Sequence, residues 1–183
     1  LNGVLPDDLV VKHVQQVPSD FHARHSSVGK RYRYLVCNLP YRSPFSRNKS
    51  WWVRKSLNLE AIREASSYLL GKHDFSAFRA AACSSPNPNK DLREILCDVK
   101  PWLHANLCFE LEADSFLQHM VRIMVGTLVQ VGTGKLKPEQ MKGILESRDR
   151  TQAGLTAPAH GLYALAVRYP EDRIEWPDEL MDS

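Results

Sequence analysis

The chain has 183 residues, 43% hydrophobic and 25% charged, a near-average make-up that excludes collagen, coiled coil and wholesale disorder. The length suits one domain, or one domain with appendages, large enough to need no disulfide staples, and no run of about 18 apolar residues suggests a membrane span. The net charge of +3 is uneven: residues 171–183 hold six acids and one base, whereas residues 1–55 hold ten bases against three acids. A basic first third fits a polyanion such as nucleic acid, and fits a solvated face equally well.

Taken in chain order, Leu9 to Val17 is rich in β-branched residues and stops at Pro18, which predicts a strand. Lys30 to Asn38 alternates, with Tyr32, Tyr34 and Val36 on one face and Arg31, Arg33 and Leu35 on the other. Asn38 to Ser50, with two prolines, reads as a loop. Asn58 is placed to cap a helix from Leu59 to Leu70, with Gly71 as its stop. Ser84 to Lys90 reads as a surface loop. Two strands follow, one carrying Ile95, Cys97 and Val99 and the next Leu107, Phe109 and Leu111. Ser115 is expected to open a buried helix from Phe116 to about Val131, ended by Gly132 and Gly134. Pro138 opens another helix through about Ser147, and Gly161 to Tyr169 forms a last strand. Pro170 starts an acidic tail expected to be mobile. Strands in pairs separated by long helices imply an α+β fold, an antiparallel sheet flanked by helices.

The four cysteines, Cys37, Cys83, Cys97 and Cys108, show no metal-finger spacing, and free thiols imply an intracellular, reducing compartment. The seven histidines form no H-x-x-x-H pair, which argues against a metal site. Arg122 is the most informative residue. It sits in FLQHMVRIMVG among apolar neighbours, and a guanidinium taken out of water needs an anion. That anion is a catalytic carboxylate or a phosphate on one reading, and a structural ion pair or the helix edge on the other. His119 and Gln118 lie one turn earlier, and Gly126, one turn later, would admit another backbone. KRYRY offers arginines to phosphate on one face and rings to bases on the other, though an ordinary edge strand has the same pattern. Arg24, Lys30, Arg31 and Arg33 would form a phosphate-binding stripe. In HDFSAFR, Asp74 reads as a cap rather than a nucleophile.

Five strings occur in one order: DFHARHS, KRYRYLVCN, LGKHDFSAFRA with Cys83 beyond it, FLQHMVRIMVG, and DRTQAGLTAPAHGLY. Together they resemble the TruA family of tRNA pseudouridine synthases, from about Asn2 to Pro170. The resemblance implies a pseudouridine-synthase fold and the isomerisation of uridine in tRNA, in the anticodon stem-loop, with no cofactor and no metal. A target uridine is flipped into a pocket, attacked by an Asp and rejoined through C5.

The family's catalytic Asp lies in a Gly-Arg-Thr-Asp-Ala-Gly string that this chain does not contain. The resemblance therefore implies residues 1–170 as the family's C-terminal domain, 171–183 as a tail, and a nucleophile in an N-terminal half. The chain alone is then expected to be inactive. Tyr32 matches the active-site Tyr that stacks on the target base and is considered as a proton-transfer group. Arg122 matches the Arg that pairs with the catalytic Asp, and Leu162 the apolar residue beside the pocket. Arg24 matches the arginine on the RNA path, and Arg79 and His119 line the site. The resemblance also implies tRNA as partner and a homodimer. Three departures stand out: Ile123 replaces an Asn, Gln118-His119 replaces a His-His pair, and the loop from Ser84 to Lys90 reads differently, with two Pro and two Asn. The alternative is a non-catalytic RNA-binding or assembly module that keeps the fold.

Overall fold

The computed structural model describes residues 1–102, 105–170 and 174. Apart from Pro170 and Ile174, the expected acidic tail lies outside the described residues. The chain divides into two compact units, Leu1–Ser27 together with Tyr169 onward, and Val28–Arg168.

The first unit corrects one expectation. Leu9 to Val17 forms no strand. β-branched residues favour an extended backbone, but a strand needs a ladder partner, and none runs alongside among the described residues of this unit. The Asn2 side chain brackets Val11 instead, donating to its carbonyl at 3.0 Å and accepting from its amide at 2.8 Å. In DFHARHS, His22 Nδ1 accepts from the backbone amides of Arg24 and His25. Tyr169 donates its hydroxyl to the carbonyl of Ala23 and packs on Phe21.

The second unit is built on a six-stranded sheet. Its strands are β1 (Gly29–Cys37), β2 (Trp51–Trp52), β3 (Gly71–Asp74), β4 (Asn89–Trp102), β5 (Ala105–Ala113) and β6 (Leu162–Arg168). The order is β2-β1-β5-β4-β3, with β6 also on β1. Every pairing is antiparallel except β1 with β2, which is parallel over two residues. The helices are α1 (Leu59–Ser67), α2 (Met120–Gly132) and α3 (Gln140–Ser147). The architecture is therefore the expected α+β one, with a short parallel piece added.

The core lies on one sheet face. Tyr34 and Val36 of β1, Phe109 and Leu111 of β5 and Ile95 and Cys97 of β4 pack with Ile62, Met124, Leu128 and Met141 from the three helices. Alternation in β1 places Tyr34 and Val36 there at 0% exposure, as the sequence predicts. Asn58 caps α1 through its side chain, which accepts from the amide of Ala61. The helix ends three residues before Leu70. Ser66 and Ser67 turn their hydroxyls onto carbonyls of the last turn, and Gly71, at φ +95°, starts β3.

The start of α2 is a second correction. Ser115 does not open it: its hydroxyl donates to Asp114, so it caps nothing, and the chain passes through Phe116 and Leu117 before His119, at φ +62°, begins the helix. From Met120 onward α2 is buried nearly all round, as expected. Pro138 likewise precedes α3, which starts at Gln140. None of the four cysteines is in a disulfide; Cys97 joins the main core, and burial pushes its thiol up to about 12 against the opposing pull of Arg63.

Candidate functional site

Four segments of the second unit meet around the core face of β1: β1 itself, the entry and first turn of α2, the run from Gly154 to Gly161, and β6. The run lies directly on α2. A Cβ on Gly126 would stand 1.9 Å from the carbonyl oxygen of Leu155, so only glycine admits this backbone approach. The buried hydroxyl of Thr127 accepts from the amide of Gly154 at 2.9 Å. Arg122 and Ala157 bond twice: Arg122 Nε donates to the Ala157 carbonyl at 2.7 Å, and the Ala157 amide donates to the Arg122 carbonyl at 3.1 Å. One residue on, the Pro158 carbonyl accepts from the Tyr34 hydroxyl at 2.6 Å. Gly161 then presses against the Tyr34 ring, where a Cβ would fall 2.7 Å from Cζ. The chain continues into β6, pairing Leu162 with Tyr34.

Arg122 is half-buried, less enclosed than its apolar neighbours in sequence imply. Its Nε is fixed, which aims the rest of the guanidinium. Among the described residues no carboxylate forms an ion pair with it. The structural ion-pair reading of this residue therefore finds no partner among those residues. Burial raises the Tyr34 hydroxyl well above the usual phenol range, while the charge of Arg122 pulls the other way. The Tyr34 hydroxyl is thus a neutral donor that fixes the Gly154–Gly161 run.

Tyr32 stands two residues along β1 on the same face, half-buried, with the edge of Phe116 against it at 5.2 Å between ring centres. The ladder with β6 is irregular here: Tyr32 pairs with Ala164 and Arg31 with Ala166, so Leu165 bulges out. Half-buried Leu162 and exposed Ala164 of β6 flank this face. Lys30 extends it one further alternation. Arg79 follows the turn Ser76–Phe78, and the next amide, Ala80, donates to the carbonyl of Gln118 at 2.9 Å. This bond brings the HDFSAFRA string beside Gln118 and exposed His119. Asp74 accepts from the amide of Ser76 and pairs with Arg148 at 3.3 Å. Burial raises the Asp74 carboxyl, but the Ser76 bonds, Arg148 and Arg79 outweigh it and hold the group below its usual range.

The other face of β1 is different. Glu110, 8% exposed, accepts from Arg31 and Arg33 at once, with closest distances of 2.8 Å to each. Arg31 also reaches Glu94 at 3.0 Å and Glu112 at 3.4 Å, and Arg168 pairs with Glu112 at 2.8 Å. Burial works against the Glu110 charge, but the bonds from Arg33 and Arg31 prevail and lower its pKa. The bond from Arg168 does the same for Glu112. The structure thus brings Tyr32, Arg122, Leu162, Lys30, Arg79 and His119 to segments around one face, engages Arg31 and Arg33 on the opposite face, and leaves Arg24 in the other unit. Sequence reasoning did not single out Tyr34, Phe116, Ala157 or Pro158. Their signals were the parity of Tyr34 with Tyr32 and the TAPAHGLY string.

Residues 65–170 match a family model described as tRNA pseudouridine synthase. The tRNA pseudouridine synthase A of Acetivibrio thermocellus is 44% identical over 169 residues, which cover 92% of this chain and 68% of that protein. That of Syntrophotalea carbinolica is 42% identical over 177 residues, 96% of this chain and 69% of the relative. That of Thermus thermophilus is 43% identical over 176 residues, 95% and 68%.

Proposed function

The chain belongs to the tRNA pseudouridine synthase family, and from that premise we propose that the core face of β1, between Tyr32 and Arg122, is where it meets the target uridine. The activity is an isomerisation of uridine in tRNA. The bond from C1′ to N1 breaks and one from C1′ to C5 forms, C5 gives up its hydrogen as a proton to solvent and N1 takes one up, so the composition is unchanged.

In this reading Tyr32 stacks on the flipped base, with Leu162 closing the apolar side of the pocket. Arg122 is a positioning residue. Its guanidinium pairs with a nucleophilic carboxylate, keeping it ionised and oriented. The carboxylate comes from an Asp in a segment N-terminal to this chain, so the chain alone binds tRNA without turning it over. Two observations support this: no Asp stands in the family's Gly-Arg-Thr-Asp setting, and each relative quoted extends beyond the matched region by about a third of its length. The observation that carries the reading is Arg122 itself, held by Nε against Ala157 and without a carboxylate partner among the described residues.

Arg24, Lys30, Arg79 and His119 supply phosphate and ribose contacts along the RNA path. Arg31 and Arg33 would join them only by trading Glu110 for phosphate. The target lies in the anticodon stem-loop and the working form is a homodimer, both on the strength of the family resemblance. A single experiment tests the core of this reading. The chain alone is mixed with tRNA carrying 5-tritiated uridine, and binding and tritium release are read together. Binding without release is the expected result. Release would place the nucleophile within these 183 residues and overturn its assignment to another segment.

A further inference from the structure

The loop between β1 and β2 is not used by any part of the reading above. Its root is firm. Trp51 and Trp52 pair in parallel with Val36 and Cys37, and the Asn38 side chain donates to the carbonyls of Val53 and Lys55, each at 2.8 Å. The indole of Trp52 donates to the Leu39 carbonyl at 3.0 Å, and Tyr163 of β6 donates its hydroxyl to the Lys49 carbonyl at 2.7 Å. Ser46 and Ser50 are buried.

On this root the loop exposes what folding ordinarily hides. Tyr41 is 68% and Phe45 75% exposed, among the most exposed large apolar side chains of the chain. The guanidinium of Arg42 lies 4.6 Å above the Trp52 ring, and Arg47 is exposed. Residues 38–55 contain five bases and no acid. Exposed rings interleaved with cations on an anchored loop are what a single-stranded nucleic acid needs, since every base has a face to stack and every nucleotide a phosphate to neutralise. The position suits it. From Tyr32 to Val36, the partner of Trp51, β1 covers about 13 Å, which a single strand crosses in a few nucleotides.

We propose that the loop from Asn38 to Ser50 is a second RNA contact, a stacking platform for unpaired nucleotides a few positions from the target uridine. Tyr41 and Phe45 receive base faces, and Arg42 and Arg47 receive phosphates. The proposal rests on the tRNA reading and adds a surface to it.

The test measures tRNA binding by the chain and by its Tyr41→Ala, Phe45→Ala and Arg47→Gln variants across a salt series. Circular dichroism confirms that each variant folds; all three side chains are exposed. The platform predicts about tenfold weaker binding for each ring removed, and for Arg47→Gln a log–log salt slope shallower by about one. Cross-linking of 5-iodouridine placed a few nucleotides from the target should reach the loop and vanish in the double ring variant. If the chain binds tRNA and all three variants match it, the platform is wrong while the tRNA reading stands. If the chain does not bind tRNA even at low salt, both fall. If the ring variants keep tRNA binding but convert a dimer to a monomer in sedimentation, the loop is a contact between copies and the platform is overturned.

Discussion

The two faces of β1 carry different residues, arginines outside and tyrosines inside, and the arginines that meet them are held in opposite ways. On the outer face, Arg31 and Arg33 converge on Glu110, and Glu94, Glu112 and Arg168 complete a network in which three bases answer three acids. On the core face, Tyr32 is half-buried, and Arg122 close to Tyr34 is steered by a backbone carbonyl rather than by an acid. The outer face is self-sufficient, since every charge in it has its partner within the sheet. The core face holds an oriented cation with no carboxylate on it among the described residues, and the proposed reading brings its counter-charge from another segment. Among the described residues Arg122 is half-buried, held by a backbone carbonyl and without a carboxylate, and the site proposed above rests on that contrast with the outer face.

Substitutions on the two faces should therefore fail in different assays. The largest effect is expected from Arg122→Met in the full-length protein. Turnover should fall about a thousandfold, the scale for losing one preorganised electrostatic contact, while tRNA affinity stays near that of the parent. Arg122→Lys should restore part of the rate. Because the guanidinium lowers the pKa of its carboxylate, any weakening of it moves the acid limb of the pH–rate profile to higher pH. Near-normal turnover in Arg122→Met would erase the distinction between the faces.

Next comes Gly126→Ala. The added methyl meets the Leu155 carbonyl, and denaturant unfolding should show a loss of about 3 kcal/mol, at the upper end for overpacking. Since the same backbone run holds Arg122 through Ala157, whatever folds should also turn over poorly. Unchanged stability would mean that the run stands farther from α2 than the geometry has it.

Tyr32→Phe keeps the ring and loses the hydroxyl. A hydroxyl that moves a proton should be worth about a hundredfold in rate, read as turnover at saturating tRNA. Loss of binding instead of rate would assign Tyr32 to recognition alone.

The smallest effect is on the outer face. Glu110→Gln should cost about 2 kcal/mol of folding stability, less than a fully buried pair because the arginines remain partly exposed, and should leave kcat unchanged. Its pH dependence has a definite sign. The folded carboxyl titrates below its unfolded value, so its contribution is complete above about pH 4.5 and is lost as pH falls through the lower folded value. Urea unfolding of the parent should weaken on acidification below about pH 4, and Glu110→Gln should flatten that limb. A fall in kcat with stability intact would show that the outer face also serves the chemistry.

Much of the fold could be read in advance where the signal is local. The parity of KRYRY gave both faces of β1, Asn58 its cap, and the apolar circumference of α2 its burial. Failures came where a distant partner decides. Leu9 to Val17 has strand propensity but no ladder beside it among the described residues, and Ser115 has cap chemistry but turns its hydroxyl onto Asp114. The two-residue strand at Trp51 and the strand at Gly71 exist only because β1 and β4 offer edges. The candidate site divides in the same way. Arg122 stands out by its apolar setting and Tyr32 by its alternating strand, while their roles and Leu162 come through the family strings; Tyr34 fixing Pro158, and Arg122 turned by Ala157, depend on contacts made 124 and 35 residues apart in sequence. The Glu110 network was invisible because it follows from strand register, which pairs Arg33 with Glu110 and Arg31 with Glu112.

The most direct test of the central claim is tritium release from 5-tritiated uridine in tRNA by the full-length protein carrying Arg122→Met, with tRNA binding measured on the same preparation. The account predicts bound tRNA and almost no release. Release at the parent rate would show that Arg122 holds no catalytic carboxylate, and that the core face of β1 owes its oriented arginine to packing alone.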